Sequence, residues 1–343
     1  MSKSGAGVGV HQERSLASGA APGVAGAALP VLRLETPWLL FKGMRPRQWP
    51  KNGVVLVALL FAQQLGQPGQ VLRALVAAVV FCLLSGAVYL VNDLLDVEKD
   101  RLHPVKRRRP LASGRLAPGL AWVAAGALAA GSLVAAALLS PAFFAVAAGY
   151  VGLQVLYVLA LKHMVILDVL ALASGFVLRA VAGAVVVGVP ISPWLYVCAM
   201  LLALFLALGK RRQELVLLMG EGDMDGSSAL ARGHRPALAG YTVGLVDQLI
   251  VVVTTCLVLA YMLYTFSAEN LPRNHAMMLT IPFVLYGLFR YLYLVHVRGE
   301  GGAPEEVLLR DPGIAACVAL WGAAVVAILY LLPGSLPDYL QPR

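Results

Sequence analysis

Nine runs of apolar residues, at about 53–66, 71–95, 118–139, 141–161, 166–188, 192–209, 243–266, 276–297 and 313–332, take up most of the chain, and polar residues collect between them. Runs of about 20 residues, wound as α-helices, cross a hydrocarbon core of about 30 Å. The pattern predicts an all-α, polytopic membrane protein built as a nine-transmembrane-helix bundle. Proline and glycine mark most of the ends, among them Pro68-Gly69, Pro118-Gly119, Pro141, Pro193, Pro312-Gly313 and Pro333-Gly334. The first run is the shortest. Ahead of it, Thr36 to Lys51 mixes Trp38, Leu39, Leu40, Phe41 and Trp49 with Lys42, Arg45, Arg47 and Lys51, the composition of a segment lying in the headgroup layer. Residues 1–35 are rich in Gly, Ala and Ser, and Pro22 and Pro30 break their one signal-like stretch, so they read as a disordered tail. The expected organisation is that tail, an interfacial amphipathic segment over 36–51, the nine-helix transmembrane domain over 52–333 and a short tail over 334–343.

With 59% hydrophobic residues, 13% charged ones and a mean hydropathy of +0.78, the chain is too apolar for an ordinary soluble domain and has no room for a large extramembrane one. Lys and Arg outnumber Asp and Glu by 27 to 18. That excess lies in short loops, where orientation in a bilayer accounts for it better than nucleic acid does. One side carries Lys42, Arg45, Arg47 and Lys51, then the basic residues from Lys99 to Arg115, Lys162, those from Lys210 to Arg235, Arg298 and Arg310; the other holds Arg73, Arg273 and Arg343. This asymmetry puts the amino terminus and the loops after spans two, four, six and eight in the cytoplasm and the carboxyl terminus outside. Cys82, Cys198, Cys256 and Cys317 each sit alone in an apolar stretch and read as small buried hydrophobes.

Acids are scarce, yet four of the 18 lie between Asp93 and Asp100. Asn92, Asp96 and Asp100 are spaced so that, on a continuing helix, each side chain turns by only about 40° from the last and the three share a face, with Asp93 beside them. Hard oxygen ligands at a wet helix end suit Mg2+, which takes one or two carboxylates and completes its shell with waters and phosphate oxygens. The basic run Lys106 to Arg109 follows and offers guanidinium forks and point charges to a polyanion. The competing interpretation is a solvated helix end whose acids pair with that run.

A second cluster comprises Tyr157, Lys162, His163, Asp168 and Arg179. Arg179 follows Asp168 by close to three turns, on a similar face about 16 Å deeper. An arginine at that depth faces the bundle interior, in structural pairing or in contact with a ligand. Tyr157 and Lys162, nearer the interface, are candidate ligand groups. The third cluster, GKRRQEL at 209–215, ends the sixth span, and Glu214 is spaced to orient Lys210. The polar residues 221–235 are long enough for a lid. Asp247, Arg290 and Tyr291 are intramembrane polar groups without an assigned role.

These residues resemble the UbiA superfamily of intramembrane prenyltransferases, whose nine-helix bundles carry an N-D-x-x-D-x-x-x-D motif after the second helix, here Asn92-Asp93-x-x-Asp96-x-x-x-Asp100. Most members have a second aspartate-rich motif after the sixth helix, where this chain has Lys210, Arg211, Arg212 and Glu214. A second carboxylate cluster implies a second metal contact; a cationic one implies phosphate bound directly by protein. With RPRQWPKN at 45–52, LKHMVILDV at 161–169 and PEEVLLRD at 304–311, the chain is similar to the phosphoribosyl-transferring branch of the superfamily, from about Pro37 to Leu332.

The resemblance implies transfer of 5-phosphoribose from phosphoribosyl diphosphate to a polyprenyl (decaprenyl-type) phosphate, with release of diphosphate, toward a lipid-linked arabinose donor for cell-envelope polysaccharide. It places Mg2+ on Asp93 and Asp96, with Asn92 and Asp100 directly or through water. Lys51, Arg101, Lys106 and Arg107 would hold donor phosphates; Tyr157, Lys162, Lys210 and Arg211 are candidates for the remaining contacts, oriented by Asp168 and Glu214, with Arg179 as a further substrate candidate. The lipid bilayer is the expected partner, a homo-oligomer is compatible, and no nucleic acid is expected. The alternative enzyme moves a polyprenyl group from its diphosphate to an aromatic acceptor. A transporter is the rival from another class, disfavoured because the polar groups cluster at one face and no internal repeat is visible.

Overall fold

The computed structural model describes residues 35–102, 105–190, 193–220, 236–268, 271–272, 274–300, 307 and 310–331. The expected tails over 1–34 and 334–343 and the lid over 221–235 lie outside the described residues. The chain folds as α1 (Thr36–Gly43), a 3₁₀ segment (Pro46–Leu56) running into α2 (Val57–Phe61), α3 (Pro68–Leu95), α4 (Val97–Leu102), α5 (Pro118–Leu139), α6 (Pro141–Leu159), α7 (Leu167–Val187), α8 (Pro193–Gly220), α9 (Val243–Ser267), α10 (Ile281–His296) and α11 (Pro312–Val326). Among the described residues there is no strand. Proline opens α3, α5, α6, α8 and α11, where its missing N–H costs nothing and its fixed φ suits the first turn.

Among the described residues, seven stretches are long and apolar enough to cross a membrane: α3, α5, α6, α7, α9, Ala276–His296 and Pro312–Leu331. The chain is a multi-pass membrane protein. Its outer faces are apolar too, with Val123 at 69% and Leu138 at 84% exposure, because hydrocarbon rather than water surrounds them. The 28-residue α8 and the Pro46–Phe61 stretch stand where the sixth and first spans are expected.

Both differ from expectation. The first span is not an α-helix over 53–66: it starts at Pro46 and is wound as 3₁₀ for 11 residues. Pro50 lies inside it, and a proline there removes an N–H and clashes with the preceding turn of an α-helix. The stretch 36–51, expected as one interfacial segment, is divided between α1 and the start of the 3₁₀ segment. At about 2.0 Å per 3₁₀ residue and 1.5 Å per α residue, Pro46–Phe61 reaches about 30 Å despite its brevity. It lies directly against α7, where a Cβ at Gly183 would fall 2.0 Å from the carbonyl oxygen of Val55. Helix α8, for its part, does not end at Gly209 but runs through GKRRQEL to Gly220, since Lys, Arg, Gln and Glu are good helix formers and Arg211 pairs with Glu214 one turn on.

Helix α7 joins two apolar clusters. Val169 and Ala173 pack with Phe205, Leu208, Val246, Ile250 and Leu294; Ala182 and Val186 pack with Val55, Phe81, Leu84, Phe143 and Tyr150. Between them sits Arg179, 6% exposed. Its Nε donates to Asn52 Oδ1 at 2.7 Å, Nη1 to the Gly175 carbonyl at 2.8 Å and Nη2 to the Tyr150 hydroxyl at 2.9 Å, with the guanidinium over the Tyr150 ring. Its partners belong to the 3₁₀ segment, α6 and α7, so the structure puts Arg179 into bundle packing rather than substrate contact. The cysteines are all free; Cys317 is buried as expected, whereas Cys82 and Cys198 are half-buried and Cys256 faces outward.

Two of the groups left without a role, Asp247 and Arg290, are paired, and the third, Tyr291, packs its ring against Phe205. Asp247 accepts from Arg212 at 2.7 Å. Arg290 grips Asp311 through Nη2 at 2.8 Å and Nε at 3.3 Å, while Asp311 caps α11 by accepting from Ile314 N–H at 2.8 Å. The Arg290 hydrogen bond, helped by the Ile314 N–H, holds the Asp311 carboxyl below the usual carboxylate range. A depressed carboxyl contributes stability that is complete above its unfolded pKa and disappears as pH falls through the folded value. Thermal unfolding across an acid pH series should therefore show Asp311→Asn less stable than wild type at neutral pH, the gap closing as the medium is acidified; a constant gap refutes the charge pairing.

Candidate active site

The acidic row survives a break in its helix. Asp96 ends α3 with φ −101° and ψ 10°, yet Asp96 N–H still reaches the Asn92 carbonyl at 3.0 Å and Asp100 N–H the Asp96 carbonyl at 2.8 Å. The row thus continues onto α4 as the spacing predicted. Asp93, however, is not at a wet helix end: it is 2% exposed, bonded by Arg45 and, at 3.1 Å, by Arg109 Nη1. The same Arg109 nitrogen donates to Asp100 Oδ2 at 2.6 Å. Arg45 reaches in from the turn before the 3₁₀ segment, held at a left-handed φ of 54° with its guanidinium over the Tyr89 ring.

Lys162, in the turn between α6 and α7, extends to Asp96 Oδ1 at 3.3 Å. Two predicted clusters therefore meet, the acidic row of α3–α4 and the turn before α7. Among the described residues no three carboxylate, His or Cys side chains converge as a ready cage for a metal. The donor set nonetheless fits Mg2+, which needs only one or two carboxylates when phosphate oxygens complete the shell. Arg109 Nη1 bridges Asp93 and Asp100, the pairing with the basic run that the competing interpretation expects, so a metal held by Asp93 and Asp100 would take the place of that guanidinium nitrogen.

The third cluster is built around Arg211, 1% exposed. Its Nε donates to Asp168 Oδ2 at 2.7 Å and its Nη1 to Glu214 Oε2 at 2.5 Å, so the two acids expected to orient cations do hold one. Nη2 is buried without a partner. Asp168, 0% exposed, also accepts from the Tyr241 hydroxyl at 2.7 Å. Burial, then that hydrogen bond, pushes the Tyr241 hydroxyl well above the ordinary phenol range, keeping it a donor at neutral pH. Tyr157 is buried, Lys51, Lys106 and Lys210 are half-buried, and Arg107 is exposed. Arg101 is exposed and paired with Glu98 at 2.9 Å.

Arg109 belongs to the basic run that the competing interpretation pairs with the acids, and it does pair with them; Arg45 counted in the sequence only toward the charge asymmetry and is the unexpected partner of the acidic row. Their signal was present, each standing directly before a proline in a cluster rich in site residues. Tyr241 and Asn52 carried none, being single polar residues at the edge of apolar stretches.

Solved structures support the fold. A UbiA homolog from Archaeoglobus fulgidus bound to GPP and Mg2+ superposes with a TM-score of 0.65, covering 85% of this chain and 99% of that one at 18% identity. Decaprenyl-phosphate phosphoribosyltransferase of Corynebacterium glutamicum is 34% identical over 299 residues, covering 86% of this chain and 87% of its own. The protein of that name from Mycolicibacterium smegmatis is 34% identical over 302 residues, with 85% and 92% covered. The profile of the UbiA prenyltransferase family matches residues 53–305. A multi-pass helical bundle with the acidic motif running from the end of α3 onto α4, and with relatives along most of its length, belongs to the UbiA prenyltransferase family.

Proposed function

We propose that this transferase moves 5-phosphoribose from phosphoribosyl diphosphate to a decaprenyl-type polyprenyl phosphate, releasing diphosphate. One observation carries the choice within the family: where most members have a second aspartate-rich motif, α8 presents Lys210, Arg211 and Arg212, with Arg211 fixed by Asp168 and Glu214 at 2.7 and 2.5 Å. A cation built into the protein takes the place of a second metal contact. The names of the 34% identical relatives favour the same reaction.

Asp93 and Asp96, with Asn92 and Asp100 completing the row, would hold Mg2+, which when bound neutralises the leaving diphosphate. Lys51, Arg101, Lys106 and Arg107 bind donor phosphates. Arg45, Arg109 and Lys162 already rest on the acidic row, so a diphosphate entering there meets positive charge on several sides. Tyr157 and Lys210 line the approach, and Arg211 stands behind them as a fixed positive charge. The lipid phosphate oxygen, anionic at pH 7, attacks C1 of the ribose as the bond from C1 to the diphosphate oxygen breaks. No protein nucleophile is needed, since the residues work by positioning and charge stabilisation. The basic rim faces the cytoplasm of a bacterial inner membrane, where the soluble donor is made, and the product feeds a lipid-linked arabinose donor for envelope polysaccharide.

Purified protein given labelled phosphoribosyl diphosphate and polyprenyl phosphate should yield labelled lipid that depends on magnesium. A parallel incubation with prenyl diphosphate and 4-hydroxybenzoate should yield nothing; product in the second mixture alone overturns the proposal.

A further inference from the structure

Tyr241, which the mechanism leaves without a task, lies just before α9 and is 5% exposed. Its hydroxyl donates to Asp168 Oδ1 and accepts from Ile166 N–H, each at 2.7 Å. Ile166 depends on that anchor. It is β-branched and held at φ 69° and ψ −45°, a left-handed conformation that persists only where the surroundings over-determine it. The 3₁₀ turn before Tyr241 presses on the same loop, where a Cβ at Gly240 would lie 2.4 Å from Val165 Cγ2.

Both groups bonded to Tyr241 lead to cations of the site. Ile166 closes the turn that carries Lys162 to within 3.3 Å of Asp96. Asp168 holds Arg211 through Nε at 2.7 Å, and Arg211 keeps a buried Nη2 without a partner. We propose that Tyr241 is a positioning residue whose hydroxyl fixes Lys162 and Arg211 in register for the diphosphate group of the donor. The proposal rests on the phosphate-transfer reading above and adds to it a residue from the connection between α8 and α9.

Tyr241→Phe removes the hydroxyl and little else. The dissociation constant for magnesium diphosphate and the KM for phosphoribosyl diphosphate should each rise about tenfold, as for one lost hydrogen bond to a charged group, while kcat changes little and the thermal midpoint falls, because the Ile166 N–H and the buried Asp168 oxygen lose their partner. Adding Ile166→Gly relieves the backbone strain. The double variant should keep the weakened diphosphate binding although its stability is restored. Unchanged affinity in Tyr241→Phe overturns the proposal, and so does recovery of wild-type affinity in the double variant, which would make the role structural. Diphosphate leaves under either prenyl or phosphoribosyl transfer, so the binding measurement judges Tyr241 separately; wild-type protein without phosphoribosyl transfer counts against the proposed reaction instead.

Discussion

Asp96→Ala should lower turnover by more than about a hundredfold, the effect of removing one preorganised charge-stabilising group, while the purified protein keeps nearly its wild-type thermal midpoint. The asymmetry follows from exposure. The Asp96 side chain is 23% exposed, against 3% for Asp93, and meets Lys162 at 3.3 Å, so removing it strands less buried charge than removing Asp93 does. Asp93→Ala should be as inactive but also less stable, by about 2–4 kcal/mol, because it strips a buried carboxylate from between two guanidinium groups. Arg45 and Arg109 then lose the carboxylate they share, and the carboxylate that remains, Asp100, pairs with Arg109. Labelled-donor turnover and thermal unfolding, run side by side, separate the two. Near-normal magnesium-dependent activity in Asp96→Ala removes the acidic row from the site, and an undiminished midpoint in Asp93→Ala contradicts its burial.

The same contrast shows what the sequence could reveal. Spacing alone put Asn92, Asp96 and Asp100 on one face, because the helical period is a local property that survived the break at Asp96. Apolar run length located the long helices α3, α5, α6, α7 and α9 within a few residues. It failed at the first span, where Pro46 and Pro50 replace α winding by 3₁₀, and at the end of α8, where charged but helix-favouring residues extend a helix beyond its apolar part. Partner choice was the less legible half. Arg45 and Arg109 reach Asp93 across 48 and 16 residues of chain, and Tyr241 reaches Asp168 across 73. Such pairings depend on how helices assemble, which no local pattern records. Arg179 illustrates the limit: its depth told that it must be satisfied, whereas only assembly decided that Asn52 and Tyr150 would satisfy it.

Gly183→Ala should be the most disruptive single methyl in the bundle, costing about 3 kcal/mol or more and lowering activity together with stability. An added Cβ there would lie 2.0 Å from the Val55 oxygen and 2.9 Å from its carbonyl carbon. Both are backbone atoms, which cannot swing aside as a side-chain tip can, so the 3₁₀ segment must lift away from α7. The consequences run along that segment. Val55 is fully buried, and three residues before it Asn52 accepts from Arg179 at 2.7 Å; shifting Asn52 leaves a buried guanidinium short of a partner. Lys51, beside it, is a proposed donor-phosphate ligand, and Arg45 at the start of the segment holds Asp93, so the displacement also reaches the acidic row. Gly149→Ala and Gly152→Ala in α6 are the controls. A Cβ at either position meets nothing within 4 Å, and exchanging a helical glycine for alanine should leave stability unchanged or raise it by up to about 1 kcal/mol. Thermal unfolding of the three variants in one detergent gives the comparison. If Gly183→Ala unfolds with its controls at the wild-type temperature, the 3₁₀ segment does not rest on α7, and the path by which it delivers Arg45 and Lys51 to the site must be different.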